Sequence, residues 1–325
     1  MVTTQKPDVY QDVTNRIIAA LESGTPPWRK GWDPDHPGNM PSVPINATTL
    51  KPYKGVNFML CTLAMPDGDP RFCTFRQAKE NGWHVKAGAK GIRLVKWVEP
   101  RDKSDEINPA DAPDEETPTP QKTAGVKHKV LFPVSFTVFH ASQIEGIPPL
   151  APPDRIIVED PEKVAMLDTL NEKMGVSVVH GSQKASYNWY ADRITLPVVD
   201  SFASIADYVG TRFHETMHST GHEARLGRKF PGPFGSPEYA REELRVEIAT
   251  VMESVKRGMP LSESVFSNHV AYVESWLSTL KKDKREIFRA AADAERMCVY
   301  IENVERGIIQ GKNPELAKVS GDRDR

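Results

Sequence analysis

The chain has 325 residues, enough for two domains, and its 42 basic and 44 acidic side chains leave no overall charge from which to infer a partner. No run of about 18 apolar residues occurs, and Met1–Lys6 lack an apolar segment. This excludes a membrane span and a signal peptide, so we expect a cytoplasmic protein. Cys61, Cys73 and Cys298 lack paired spacing, which excludes a disulfide framework and a zinc ribbon and predicts core positions.

The first predicted element is a helix that begins at Asp8 and ends at Gly24, before a pair of prolines. Its apolar positions recur at helical spacing: Val9, Val13, Ile17 and Leu21. The cluster Trp28, Arg29 and Lys30 follows, and we expect it to be exposed.

Residues 51–97 are basic, with nine Lys and Arg side chains and three acidic ones. Aromatic residues lie among them: Tyr53, Phe58, Phe72, Phe75, Trp83 and Trp97. Cations that contact phosphates, together with rings on which bases stack, are what a surface for single-stranded nucleic acid needs. Most of these rings belong in a core, so composition alone is a weak signal. The predicted contacts are Trp28, Arg29, Lys30, Tyr53, Lys54, Arg76, Lys86, Lys90 and Arg93.

Short helices are predicted after Val56 and from Thr74, and the run 91–98 alternates like a half-buried strand. Residues 128–139 are its predicted partner strand. The intervening 99–127 are rich in Pro, Asp and Glu, which predicts a disordered insertion within one hairpin. A proline-rich stretch near 146–153 then marks a boundary, so we predict domains 1–150 and 151–325.

In the second predicted domain, a helix near 163–174 and short strands at 176–179, 186–190 and 193–197 precede the motif His214-Glu215-Thr216-Met217-His218. Ser204 caps the motif's helix and Gly221 ends it. Two histidines one helical turn apart can share a divalent metal, and Glu215 between them can take a proton from water on that metal. The motif therefore predicts a zinc peptidase, with Glu215 as the catalytic base. Tyr190 is a candidate oxyanion stabiliser.

A catalytic zinc needs a third protein ligand. The metzincin position is occupied by Ala224, which rejects that subclass, and His222 follows the predicted end of the helix. The next predicted helix, from Ser236 to Gly258, carries Glu243 and Glu247 along one edge of its apolar stripe. This is a gluzincin arrangement, and we assign Glu243 to the metal and Glu247 to a hydrogen bond with a ligand histidine, although the reverse stays open. Two further helices are predicted after Leu261.

Motifs along nearly the whole chain resemble those of ArdC-type antirestriction proteins of plasmids and mobile elements. They are Asp8-Val9-Tyr10, Pro27-Trp28-Arg29, Pro52 to Asn57, Thr74 to Ala78, Lys86 to Gly91, Val138-Phe139-His140, Phe213 to His222, Arg225-Leu226, and Glu242-Glu243-Leu244 with Glu247. The resemblance implies an α+β protein, in which a mixed α/β domain binding single-stranded DNA precedes a zincin-like (SprT-like or gluzincin-like) metallopeptidase domain with a helical C-terminus. The chain departs from the pattern in its acidic insertion and in His140, where Asn is usual.

Two functions are consistent with these features. In the first, the protein binds single-stranded DNA and Zn²⁺, cleaves a DNA-associated protein, and so protects incoming DNA from restriction. In the second, it is a non-catalytic DNA-binding antirestriction protein with a structural metal. The sequence favours the first, because a structural zinc needs a fourth ligand and gains nothing from Glu215. We expect no membrane partner.

Overall fold

A computed structural model describes residues 8–24, 26–29, 43–66, 69–98, 131–150, 160–229, 231–259 and 261–308. These residues form two compact units, one made of 8–150 with 277–292 and the other of 160–276 with 293–308. Both contain helices and sheets, as expected for an α+β protein. The predicted insertion at 99–127 lies outside the described residues, as does Lys30.

The first unit begins with helix α1 (Val9–Glu22), which Asp8 caps by accepting a hydrogen bond from the backbone N–H of Gln11. It also contains α2 (Val56–Ala64) and α3 (Phe75–Glu80), and Thr74 and Gln77 form a capping box at the start of α3. The strands are β1 (Ile45–Asn46), β2 (Arg71–Cys73), β3 (His84–Val85), β4 (Ile92–Val98), β5 (Phe132–His140) and β6 (Ile144–Glu145).

Four of these strands form one sheet in the order β1-β2-β5-β4, in which β1 and β2 are parallel and the other pairs antiparallel. The predicted hairpin is confirmed, since β4 pairs with β5 from Ile92 opposite Val138 to Val98 opposite Phe132. Strands β3 and β6 form a separate antiparallel pair. His140 ends β5 and caps the next turn, because its Nδ1 accepts a hydrogen bond from the backbone N–H of Ser142 at 3.1 Å. Asn, the usual residue at this position in the motif that the chain resembles, is also a common capping residue. A capping role therefore accounts for a polar residue at position 140.

The second unit contains α4 (Asp160–Met174), α5 (Ile205–Ser219) and α6 (Pro237–Arg257), together with a sheet of β7 (Ser177–His180), β8 (Ser186–Asn188) and β9 (Arg193–Leu196) in the order β7-β9-β8. Strands β7 and β9 are parallel, and β8 and β9 antiparallel. Helix α5 contacts α4, α6, β8 and β9 and is buried along most of its length. The caps expected at Ser204 and Ser236 are present, and Gly258 ends α6 with a positive φ of 63°.

The last two helices, α7 (Glu263–Lys282) and α8 (Glu286–Glu305), each contribute residues to both units. Residues 277–292 group with the first unit, whereas the predicted second domain covers all of 151–325, and these domain boundaries stay a prediction. This segment belongs to the first unit because Phe288 packs edge-on against Tyr10 at 4.8 Å and the carbonyl of Lys284 accepts a hydrogen bond from Thr14. The three cysteines are buried and unpaired, as expected. None of the helices in the described part of the chain is long and apolar enough to cross a membrane.

Candidate functional site

Helices α5 and α6 bring His214, His218 and Glu243 together in the second unit. The Nε2 atoms of the two histidines are 3.1 Å apart, and the Glu243 carboxylate lies 3.5 Å from Nε2 of His214 and 3.4 Å from Nε2 of His218. One possible ligand atom from each residue lies within 4.8 Å of the others, and all three residues are buried. No other group of this kind occurs among the described residues.

These distances suit a metal ion. Ligand atoms about 2.0 to 2.2 Å from a tetrahedral zinc are separated from one another by about 3.3 to 3.6 Å, close to the three separations found here. Two imidazole nitrogens and a carboxylate oxygen are also a donor set typical of catalytic zinc, which keeps its fourth position open. The triad therefore fits a metal with three protein ligands.

The electrostatic environment favours positive charge at the triad. Burial lowers the pKa of His218, but the carboxylates of Glu243, Glu242 and Glu215 outweigh burial and raise this pKa to about 10. A cation at this place is thus stabilised by several buried carboxylates. A metal ion provides that charge and leaves the imidazole free to act as a ligand.

Glu242 contacts the other ring nitrogen of His218, a contact that the sequence analysis missed. Its carboxylate lies 3.7 Å from Nδ1 of His218 and receives hydrogen bonds from Arg228 Nε at 3.2 Å and Nη2 at 2.5 Å. Burial raises the pKa of Glu242, but Arg228 and His218 lower it to about 2. The sequence analysis had expected Glu247 to contact a ligand histidine; Glu247 is buried one turn further along α6, and its role stays a prediction.

Glu215 is also buried, with 8% of its surface exposed, and it lies close enough to His218 and Tyr239 to affect the pKa of both. Tyr239 is a second residue that the sequence analysis missed. Burial, followed by the charges of Glu243 and Glu215, raises the pKa of its hydroxyl. Tyr190, the expected oxyanion stabiliser, lies in the turn between β8 and β9 and is 84% exposed. That role stays a prediction.

A buried ion-pair network connects the β8–β9 turn to the end of α5. The guanidinium of Arg225 is fully buried, pairs with both carboxylate oxygens of Asp192, and donates a 2.6 Å hydrogen bond to the carbonyl of Ser219. Tyr187 donates to Asp192 at 2.8 Å, and Nδ1 of His222 lies 3.9 Å from the same carboxylate. His222 therefore faces Asp192, in agreement with its exclusion from the metal ligands.

The predicted DNA contacts in the first unit have mixed outcomes. Trp28 is fully buried, so its expected exposure is wrong: the short helix Pro27–Arg29 packs against α1 and α2, and the indole fills the core there. Tyr53 is half-buried and its hydroxyl accepts from Asn46. The exposed side chains among the predicted contacts are Lys54, Arg76, Lys86, Lys90 and Arg93.

Three of these cations have short-range partners. Arg76 pairs with Glu80 at 2.7 Å, Arg93 with Asp12 at 2.8 Å, and Lys86 donates to the carbonyl of Ser142 at 2.8 Å.

Of the aromatic rings in the basic region, Phe75 at the start of α3 is the most exposed, at 58%. Leu50, in the loop of residues 46–54, is also exposed, at 65%. The loop and α3 are joined by a hydrogen bond from Asn46 to Gln77 at 3.3 Å. The sequence signal that marks Phe75 is its position directly after the capping residue Thr74, where a side chain on a short helix faces solvent.

Two family models match the chain. The N-terminal domain of the anti-restriction factor ArdC matches residues 7–139, and a zincin-like metallopeptidase domain matches residues 165–293. The solved structures include the antirestriction protein ArdC from plasmid R388. Its metal-free form has a TM-score of 0.70 and 31% identity over 93% of this chain and 99% of that one. Its Mn(II)-bound form gives 0.71 and 32%, over 92% and 98%.

Three related sequences also match most of this chain. The uncharacterised protein y4eC of Sinorhizobium fredii (strain NBRC 101917 / NGR234) is 31% identical over 92% of this chain and 93% of its own length. Two Escherichia coli proteins named DNA primase TraC are 36% and 34% identical over 98% and 94% of this chain. The chain spans only 29% and 20% of the length of these two primases.

Proposed function

The chain belongs to the family of ArdC-type antirestriction proteins, and from this premise we propose that it is a zinc metallopeptidase that binds single-stranded DNA. In this proposal it protects incoming mobile-element DNA from restriction, and its peptidase acts on proteins bound to that DNA. The observation that carries the proposal is the buried triad of His214, His218 and Glu243, with Glu215 on the same helix turn as the two histidines.

His214, His218 and Glu243 would hold the metal, each through one atom. When bound there, zinc would supply a Lewis acid for a substrate carbonyl and would acidify a water molecule. Glu215 would accept a proton from the attacking water, and its burial among other acids near His218 suits a base that is shielded from bulk solvent. The Glu242 carboxylate lies 3.7 Å from Nδ1 of His218, and its charge favours the proton on that nitrogen, which leaves Nε2 of the ring for the triad.

We propose zinc because a donor set of two histidines and one carboxylate is typical of catalytic zinc sites. The R388 relative has been solved with Mn(II). Other divalent metals can bind the same three ligands with different affinities, so the ligands alone do not specify which metal is bound. The metal content of the purified protein therefore decides the identity of the ion.

For DNA, we propose a surface around α3 and the 46–54 loop, where Phe75 supplies an exposed ring and Lys54 and Arg76 supply positive charge. The Arg76–Glu80 pair is exposed on both sides, so a phosphate can replace the carboxylate. Stacking on Phe75 requires unpaired bases, which favours single strands over duplex.

The proposal is tested with the full chain, because 277–292 belong to the first unit and a fragment ending near 150 would lack them. Purified protein is expected to contain about one zinc per chain by mass spectrometry of the metal. Glu215→Gln should keep this zinc but lose cleavage of an unfolded protein substrate in the presence of single-stranded DNA, because the amide retains the shape and cannot take a proton.

The matched control is Glu223→Gln, an exposed acid in the turn after α5, which should leave cleavage unchanged. His214→Ala should lose the zinc. Cleavage by Glu215→Gln at the wild-type rate would contradict the catalytic assignment. If wild type and Glu215→Gln protect DNA equally well in cells, antirestriction does not need the peptidase, and the binding-protein alternative holds for that role.

A further inference from the structure

Three aromatic rings form a contact cluster beside the metal triad in the second unit. Phe234 lies 5.4 Å from Tyr239 and 6.0 Å from Tyr272 between ring centroids, and the two tyrosines are 5.9 Å apart. All three separations are within the range of aromatic contacts. Tyr272 is 9% exposed and Phe234 81% exposed. The cluster thus has a buried base and one ring that faces solvent.

The turn that carries Phe234 is well defined. The carbonyl of Pro233 accepts a hydrogen bond from the backbone N–H of Ser236 at 3.1 Å, so Phe234 and Gly235 are the central residues of a β-turn. Gly235 has a φ of 83°, which a glycine adopts without strain. Ser236 then caps α6 by accepting from the backbone N–H of Tyr239. An exposed phenylalanine on a fixed turn gains little from folding, which suggests that its ring serves binding.

The buried side of the cluster reaches the metal ligand. Tyr239 precedes Glu243 by four residues on α6, so one helical turn separates the two side chains on nearly the same side of the helix. Tyr272 contacts Tyr239, with 5.9 Å between the ring centroids, and so lies on the same side of α6. The three rings therefore form a wall that starts at the triad and ends in solvent at Phe234.

We propose that Phe234, Tyr239 and Tyr272 form the subsite that binds an aromatic or large aliphatic side chain of the peptide substrate beside the scissile bond. This proposal rests on the proposed peptidase function and names its substrate class. A peptide side chain suits the site better than a nucleobase, because the rings lie on the side of α6 that carries Glu243 of the proposed peptidase triad. An apolar side chain gains from contact with the rings at no electrostatic cost.

Binding of hydroxamates to the zinc-loaded full chain, measured by calorimetry, tests the subsite without requiring turnover. Acetohydroxamate reports an open metal position alone, whereas acetyl-phenylalanine and acetyl-alanine hydroxamates differ only in the side chain offered to the subsite. We expect the phenylalanine compound to bind wild type about 10 to 100-fold more tightly than the alanine compound. Phe234→Ala should reduce this preference to about threefold or less and leave acetohydroxamate binding unchanged.

Two variants separate the ring from other effects. Phe234→Leu should retain most of the preference, because a large apolar side chain is kept. Val198→Ala, a truncation at another exposed apolar residue of the same unit (53% exposed), should change nothing. Phe234→Ala should also unfold at the same temperature as wild type, since so little of the ring is buried.

The outcomes distinguish the two proposals. If acetohydroxamate does not bind zinc-loaded wild type, the open metal position is absent and both proposals fail. If it binds and the phenylalanine and alanine compounds bind equally, or Phe234→Ala keeps the full preference, only the subsite is refuted. Loss of oligodeoxythymidine binding in Phe234→Ala, with the hydroxamate preference intact, would instead assign the ring to a nucleobase and overturn the proposal.

Discussion

Replacing Glu242 by Gln is expected to weaken zinc binding although Glu242 is not one of the three proposed ligands. The Glu242 carboxylate lies 3.7 Å from Nδ1 of His218, on the side of the ring opposite the triad, and is held there by Arg228. A negative acceptor at Nδ1 fixes the tautomer that presents Nε2 to the metal and makes that nitrogen more basic. Glutamine keeps the volume and removes the charge.

The expected size of the effect follows from this contact. Loss of a side chain that contacts the outer nitrogen of a ligand histidine typically weakens metal binding by about 10 to 100-fold, or about 1.4 to 2.7 kcal/mol. Glu242 also carries the ion pair with Arg228, and both side chains are largely buried, at 5% and 10% exposure. Weakening a hydrogen bond to a charged group costs about 1.5 to 3 kcal/mol, so the metal-free protein should lose stability as well.

Competition with a chelator of known affinity measures the zinc dissociation constant, and urea unfolding of the metal-free protein measures the loss of stability separately. Glu247→Gln is the matched control, because Glu247 is a buried acid on the same helix. A zinc dissociation constant that is about 10 to 100-fold higher for Glu247→Gln, with wild-type zinc affinity for Glu242→Gln, would refute this reasoning. It would support the sequence-based assignment of Glu247 as the residue that contacts a ligand histidine.

Two further predictions concern Trp28 and Phe75 in the first unit and the ion pair of Asp192 with Arg225 in the second unit. Trp28→Leu should lower the unfolding temperature without changing the DNA affinity of the folded protein, since the indole is buried. Phe75→Ala should weaken binding to single-stranded DNA, measured by fluorescence anisotropy, with little change in the salt dependence of that binding. The reverse pattern would restore Trp28 as a stacking residue. Burial raises the pKa of Asp192, but Arg225 and Tyr187 lower it below its usual value, so the stabilisation is present above about pH 4 and is lost as the pH falls through the lowered pKa. The difference in unfolding free energy between wild type and Asp192→Asn should therefore be largest near pH 7 and shrink below about pH 4, and a difference that grows on acidification would contradict the assignment.

Local signals were sufficient to predict the helices of the candidate site. Ser204 and Ser236 cap α5 and α6, and Gly258 ends α6, as their residue types indicate. The spacing of His214 and His218 places both rings on one face of α5, and the apolar stripe of α6 indicates which edge faces it. Glu243 lies on that edge, so its position near the histidines required only helical periodicity.

The missed features depend on long-range packing. Trp28 precedes two basic residues, a pattern typical of an exposed aromatic and basic cluster, and only the packing of its short helix against α1 and α2 accounts for its burial. The segment 277–292 comprises the end of α7, a short turn and the start of α8, and its sequence gives no sign that Phe288 packs against Tyr10, which is far away in the chain. Arg225 and Asp192 meet because a turn with Asp192 at a φ of 45° returns the chain toward the end of α5.

The contact between Glu242 and His218 shows what helical periodicity alone does not specify. Glu247 lies four residues beyond Glu243, about 6 Å further along the helix axis and on nearly the same edge. Glu242 is adjacent to Glu243 in sequence and is rotated by about 100° around the helix. The two nitrogens of one imidazole face in different directions, so a carboxylate at each requires two acids that differ in rotation around α6. His218 meets this requirement with Glu243 at Nε2 and Glu242 at Nδ1. The apolar stripe of α6 identifies the edge of this helix that faces α5. It does not identify which neighbouring acid contacts the second nitrogen of the His218 ring.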